Sequence, residues 1–330
     1  MSATSAGTGG VQTRLVRRVR PPRLSFTARE AIAGYLFISP WLVGFLVLVG
    51  GSMAISLGVS LMRTDLLTDF TFVGMDNFVQ LAGDKLIQKA LVNTAYYSFT
   101  MVPLGTILAL ITALLLNQNI KCQGIFRSLY YVPSIVSGIA VSMLWLWLYN
   151  PRVGLLNSLL GQIGIQGPKW IYSDVWAMPS MIIMGLWTTG GSMLIFLSGL
   201  QSIPTALYES AEIDGANAWH RFWHITIPML TPTILFSLIM RMIGSWQVFT
   251  QAYVMTEGGP NNATLTMVLY LYRKAFQQFH FGYAAAMAWL LFGIILVLTL
   301  LMFKSSPLWV FYESEVERVG SAKRVLKRES

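Results

Sequence analysis

The sequence predicts an all-α, polytopic membrane protein with six transmembrane helices and a helical elbow in one cytoplasmic loop. Three observations lead there. Of 330 residues, 55% are hydrophobic and 11% charged, whereas about a quarter of the residues in a soluble domain are charged. Six apolar runs, 31–62, 90–120, 128–151, 175–208, 225–256 and 281–303, are bounded by charges, and each exceeds the ~20 residues that cross a ~30 Å hydrocarbon core. A polar, charged island over 209–228 interrupts the pattern between the fourth and fifth runs.

Taken in order, residues 1–30 are rich in Ser, Gly, Pro and Arg without apolar periodicity, which predicts a mobile basic lead-in. The run at 31–62 is longer than the apolar region of a signal peptide and lacks a small-x-small exit, so it reads as a retained first helix. Between 63 and 89, the stretch 73–78 reads as a turn followed by a helix that Asp76 or Asn77 could cap. Run three gathers Pro133, Ser134, Ser137 and Gly138; run four gathers Pro179, Gly185, Thr188, Thr189, Gly190, Gly191 and Ser192; run five holds Arg241, Gly244, Ser245 and Gln247. Lipid tolerates such groups only where helices pack together or line a wet cavity. In run six, Ala284, Ala285, Ala286 and Ala288 suit close helix contacts. Residues 313–330 alternate acids and bases and form a solvated tail. The six helices and their loops make one domain over 31–312, with the elbow at 203–224.

Fifteen of the 23 Lys and Arg residues lie in the N-terminal segment, the loops after the second and fourth runs, and the tail. Seven lie in the opposite loops, the first of which also carries Asp65, Asp69, Asp76 and Asp84. By the positive-inside rule both termini and the 209–224 loop are cytoplasmic.

The net charge of +9 comes from basic residues flanking helices, which favours lipid contact and orientation over nucleic acid. Cys122 is the single cysteine, and His220, His224 and His280 do not converge, so neither a metal cluster nor an enzyme's catalytic set is expected. An ion-coupled secondary sugar transporter would need acids inside the membrane, and the runs have none between their ends. No charged ring or filter repeat supports a channel. The phosphate-binding pattern Gly-x-x-x-x-Gly-Lys-Ser/Thr is absent, so any ATP hydrolysis belongs to another chain.

Within the island, Pro204 suits a first helical turn, Leu207, Tyr208 and Ala211 recur at helical spacing, and Gly215 permits a sharp change of direction. Pattern alone leaves an interfacial amphipathic connector as an equal reading. The spacing goes further: Glu209-Ser210-Ala211, three residues, Gly215, nine residues, then Ile225-Thr226-Ile227-Pro228. This resembles the signature of permease subunits of bacterial ATP-binding-cassette importers, with Ser210 for Ala and Ile227 for Leu as mild departures. The resemblance extends through Phe126-Arg127 to Pro133, Trp187 to Gln201 and Glu257-Gly-Gly-Pro260, and is strongest to the maltose-permease branch of carbohydrate importers.

The resemblance implies that the elbow couples to an ATPase: Glu209 would meet a basic residue there, Ala211 and Gly215 would allow close approach, and Leu207 and Tyr208 would supply apolar contact. Asp214 either joins that contact or caps the second elbow helix. It also implies a second homologous permease, two ATPase subunits that bind ATP and Mg, an extracytoplasmic solute-binding protein, and no cofactor in this chain. The path residues implied are Ser134, Gly138, Gly185, Thr188, Thr189, Ser192, Arg241, Gly244, Ser245 and Val248, with Trp187, Trp246 and Phe249 as aromatic neighbours for a sugar. A charge near a helix centre costs at least ~2.5 kcal/mol. Arg241 therefore needs a backbone carbonyl, an acid on the second subunit, or a substrate, and an anionic solute such as glycerol phosphate stays open beside a sugar.

Overall fold

The computed structural model describes residues 25–65 and 70–311. The sequence reading of most of the lead-in, and of the tail at 313–330, lies outside the described residues. The chain divides into two units, Met1–Ile55 and Ser56–Ser330.

The first unit is helical: α1, Phe26–Gly44, passes through a π-helical turn, Phe45–Gly50, into α2, Gly51–Ser60, whose residues from Ser56 onward are counted in the second unit. Its apolar side chains, Phe37 and Leu48 among them, are exposed, as suits a helix whose solvent is lipid.

The second unit opens with a two-stranded antiparallel ribbon, β1 (Met62–Thr64) and β2 (Phe70–Phe72), in which Met62 faces Phe72. The sequence reading had a loop here. Helix α3, Asp76–Gly83, follows, but neither Asp76 nor Asn77 caps it; the N-cap position is Met75. Asn77 is buried and donates its amide to the Ser60 and Met62 carbonyls, at 2.8 and 2.9 Å. Ser60 ends α2 and Met62 opens β1, and an amide with two N–H donors serves both carbonyls.

The central element is α4, Lys85–Leu116, which packs against α8 (Ala177–Trp187), α9 (Gly190–Gln201) and α12 (Ile227–Trp246). Ala90, Ala109 and Ala113 are fully buried on it, so neighbouring backbones approach closely. Thr94 and Thr112 return their hydroxyls to the carbonyls of Ala90 and Leu108, at 2.7 and 2.9 Å, which satisfies polar groups without water.

At the start of α4, Asp84 caps the Leu86 N–H at 2.8 Å. It also accepts from the hydroxyl of Tyr270, at 2.7 Å, on α13 (Met267–Tyr272), and from that of Tyr283, at 2.8 Å, on α14 (Phe281–Ser305). Burial raises the Asp84 carboxyl, but these hydrogen bonds outweigh it and hold the group below its ordinary value of 3.8.

Among the described residues four helices are long and apolar enough to cross a membrane: Arg29–Ser60, Lys85–Leu116, Ala218–Trp246 and Phe281–Leu308. Counting each of two bent pairs as one span brings the number to six. The third run is therefore not one straight helix. It splits into α5, Gln123–Ile135, and α6, Gly138–Leu148, at 98°. Pro133 removes a helical donor, and Val136 and Ser137 then take extended conformations, with ψ of 140° and 133°. The fourth run bends by 45° between α8 and α9, where Thr188 donates its hydroxyl to the Gly185 carbonyl at 2.9 Å in competition with the backbone. Beyond α6, the short helix α7, Leu155–Gln162, receives the Trp170 indole N–H on Asn157 Oδ1 at 2.6 Å.

Candidate functional site: the elbow and the Arg241 cavity

The elbow consists of α10, Thr205–Ile213, and α11, Ala218–Arg221. Gly215 has φ of +78°, a conformation a side chain resists. With it, the Gly215 N–H reaches the Glu212 carbonyl at 3.0 Å and the Ala216 N–H reaches the Ala211 carbonyl at 2.8 Å. This is a Schellman stop, and it uses the last free carbonyls of α10. Asp214 does not cap the second helix. Asn217 does, its Oδ1 accepting the His220 N–H at 2.8 Å. Asp214 sits on the turn itself, whereas the cap must immediately precede α11.

Arg221 forms an ion pair with Glu212 across the bend. The pair ties the two arms of the elbow together, and the sequence reading missed it because the residues are nine apart and on different helices. From α11 a π-helical turn, Phe222–Thr226, runs without interruption into α12. The elbow is thus the base of a membrane-spanning helix.

Placement separates the six elbow residues. Tyr208 turns inward, against the cluster formed by Phe196, Leu197, Leu200 and Leu230, and its hydroxyl lies 3.0 Å from Thr226 Oγ1. Leu207, Glu209, Asp214 and Gly215 are exposed, and Ala211 is half-buried. Glu209 has no ion pair among the described residues. The most exposed apolar residues nearby are Ile213, at 88%, and Trp219, at 66%. Neither stood out in the sequence, because a single apolar residue in an amphipathic stretch carries no sign of which way it faces.

At the opposite end of α12 the helix stops at Trp246, ten residues before the end of the apolar run. Arg241 is therefore five residues from a helix end rather than at a helix centre. It lines a cavity of about 390 Å³ together with Gly244, Ser245 and Val248. Tyr97 and Met101 of α4 complete one wall, and Gly185 of α8 lies against both of them. Gly138 packs beside Thr250, which also lines the cavity.

The other expected path residues lie apart. Thr189 lines a separate cleft of about 290 Å³, with Trp187, Pro133 and Leu129. Ser134 lies beside Gly191 and donates to the Tyr131 carbonyl at 2.6 Å, and Thr188 donates to Gly185. Ser192, in the first turn of α9, is half-buried and does not line the Arg241 cavity. Of the three aromatic neighbours only Phe249 reaches the Arg241 cavity; Trp246 is buried in the core.

Arg241 Nε and Nη2 are buried and have no acceptor among the described residues. Leaving such a donor unpaired costs about 1–3 kcal/mol, more for a charged group. Room for the guanidinium depends on Gly105 of α4, where a Cβ would stand 2.5 Å from Nη1 and 3.2 Å from Cζ. Tyr97 and Gly105 escaped the sequence reading because nothing in the second apolar run marks them as facing an arginine more than a hundred residues away.

Spanning and bent helices, with an exposed elbow at one end of α12 and a polar cavity at the other, suit a membrane permease. The chain belongs to the family of binding-protein-dependent transport system inner membrane components, which it matches over residues 101–307. It is 42% identical over 294 residues to the probable ABC transporter permease protein YesP of Bacillus subtilis, covering 88% of this chain and 95% of that one. It is 34% identical to the lactose transport system permease protein LacF of Rhizobium radiobacter, covering 85% and 98%. Among solved structures it is similar to a bacterial alginate ABC transporter in complex with an alginate pentasaccharide-bound periplasmic protein, with a TM-score of 0.73, 25% identity, and coverage of 84% and 95%.

Proposed function

We propose that this chain is one permease subunit of an ATP-driven importer that takes up a saccharide delivered by an extracytoplasmic solute-binding protein. The observation that carries the reading is the elbow, whose exposed Glu209 and Ile213 stand on a rigidly turned helix pair continuous with α12, the helix that lines the Arg241 cavity. A force on the elbow therefore reaches the cavity through one backbone. Lactose and alginate, named for the relatives above, support a saccharide as the solute.

In this arrangement the termini and elbow are cytoplasmic, which the Lys and Arg distribution supports. A second homologous permease completes the path, and two ATPase subunits bind ATP and Mg and dock on the elbow. Leu207, Glu209, Ala211, Asp214 and Gly215 form that docking face, and Tyr208 holds the elbow to the bundle. Of the path residues, Gly138, Gly185, Arg241, Gly244, Ser245 and Val248 group around one cavity. Ser134, Thr188, Thr189 and Ser192 lie near the helix bends and extend the path beyond that cavity. Among the described residues no acid lines the cavity, which disfavours ion-coupled transport.

The test is purification of the complex through this chain, followed by saccharide uptake in vesicles. An ATPase is expected to co-purify, and Glu209→Lys is expected to reduce uptake at least tenfold. Absence of any ATPase, together with full uptake by the variant, would overturn the reading.

A further inference from the structure

We propose that a polar cavity at the end of the bundle away from the elbow holds the headgroup of an anionic glycerophospholipid such as phosphatidylglycerol. The proposal needs only that the chain spans a bilayer, and it stands apart from the importer reading above.

The cavity, of about 580 Å³, is lined by Arg63 and Thr71 of the ribbon, Lys274, Phe279 and His280 between α13 and α14, and Tyr283 of α14. It lies where a bilayer puts its headgroups. Leu116, at the far end of α4, clusters with Tyr208 of the elbow, whereas the first turns of α4 and α14 meet at Asp84 and Tyr283, so both helices start at the other face. The spans Lys85–Leu116 and Phe281–Leu308 have 32 and 28 residues. At 1.5 Å per residue they run about 48 and 42 Å, past a ~30 Å hydrocarbon core and into the polar layers. Phe70 and Phe72 flank Thr71 on its strand and, with Phe279, are 61%, 74% and 53% exposed. Exposed phenylalanine rings at this depth are solvated by acyl chains, which puts lipid beside the cavity.

The charge of the lining calls for an anion. Arg63 and Lys274 face one acid, Asp65. Two other cations at this end, Lys89 and Arg273, donate to the carbonyls of Asn261 and Glu257, whereas Arg63 and Lys274 form no ion pair among the described residues. Lys274 Nζ rests over the rings of Tyr270 and Tyr283, 5.3 and 5.5 Å from their centroids, which holds the ammonium at the cavity. Phe279 takes a φ of +56°, rare for an aromatic residue, and the turn returns the His280 N–H to the Lys274 carbonyl at 2.8 Å. Ring, imidazole and ammonium are thereby brought to one mouth.

A phosphate diester presents a single negative charge, and a guanidinium pairs with two of its oxygens. Phosphatidylglycerol adds only hydroxyls, for which Thr71 and Gln80 stand in the wall. A choline or ethanolamine headgroup adds a cation that Arg63 and Lys274 repel. An acidic loop of a partner protein would answer the charge but not the phenylalanines exposed at headgroup depth. Tyr270 and Tyr283 both donate to Asp84, the cap of α4, so a phosphate on Lys274 also braces the helix that walls the Arg241 cavity.

The full complex is purified in detergent and labelled with phosphatidylglycerol that carries a photoactivatable group beside its glycerol. Crosslinks mapped by mass spectrometry are expected over 61–80 and 270–283, and unlabelled phosphatidylglycerol is expected to compete better than phosphatidylcholine of the same chains. Each cation beside an anionic headgroup contributes about fivefold in affinity, so Arg63→Gln should lower labelling about fivefold and Arg63→Gln with Lys274→Gln about 25-fold. Arg63 is exposed, so its single variant serves if the double variant does not assemble. Equal competition by phosphatidylcholine, or unchanged labelling in the assembled variants, shows ordinary contact with surrounding lipid and overturns the proposal. Competition by glycerol 3-phosphate or inorganic phosphate at the concentrations that suffice for phosphatidylglycerol assigns the cavity to a soluble phosphate and overturns the lipid. Unchanged labelling together with weaker capture of the solute-binding protein by the same variants makes the cavity a protein docking surface, which overturns it too. All of these outcomes leave the importer reading standing, because saccharide uptake enters none of them.

Discussion

The Tyr208 hydroxyl lies 3.0 Å from Thr226 Oγ1, so the first arm of the elbow is fastened to the turn from which α12 rises. Tyr208 also packs against the Phe196 and Leu230 cluster. One side chain thereby joins three segments that must move together if a push on α10 is to reach α12.

Tyr208→Phe keeps the packing and removes the hydrogen bond, worth about 1 kcal/mol. The complex should still assemble and hydrolyse ATP, but with more ATP spent per solute imported. Simultaneous measurement of phosphate release and uptake checks this; an unchanged ratio would show that the Tyr208 hydroxyl has no part in transmitting force.

Gly215→Ala forces a side chain into a left-handed conformation at a cost of about 1–2 kcal/mol. The expected outcome is a weaker hold on the ATPase during purification. Gly215→Asn should recover much of it, since Asn tolerates the same conformation. Equal retention of the ATPase by all three forms would argue that the stop is not needed for docking.

Asp84 gives a pH-dependent prediction. Its folded carboxyl titrates below 3.8, so the unfolded chain binds more protons near that pH. The stability it contributes is present above 3.8 and is lost as pH falls through the lower folded value. Asp84→Asn should cost about 1–2 kcal/mol at pH 7 through weaker bonds to Tyr270, Tyr283 and Leu86. The difference from the unmodified protein should shrink below pH 3.8, which thermal unfolding in detergent can follow.

Asn77→Ala strands the Ser60 and Met62 carbonyls that its amide satisfies. A loss of about 2 kcal/mol is expected. Proteolysis should then cut the 61–75 region faster, while Asp76→Ala, at a position that caps nothing, should leave the rate unchanged.

Hydropathy and spacing are local properties of a chain, and the features that depended on them were legible before any coordinates. The membrane class, the six apolar runs and the turn at Gly215 follow from the solvent each segment must meet and from the backbone angles each residue allows. Arg241 was equally conspicuous, because a charge inside an apolar run has no cheap environment. Its surroundings were not legible. The apolar run continues past Trp246, so hydropathy placed Arg241 mid-helix, whereas the helix ends there and the residues that follow line a cavity.

Tertiary structure alone decided which groups meet. Tyr97 and Gly105 come to Arg241 from α4, and Asp84 meets tyrosines from two later helices. Composition and periodicity determine which surfaces a segment must hide. Which partner hides them depends on close packing between segments far apart in sequence, and no local pattern encodes that choice.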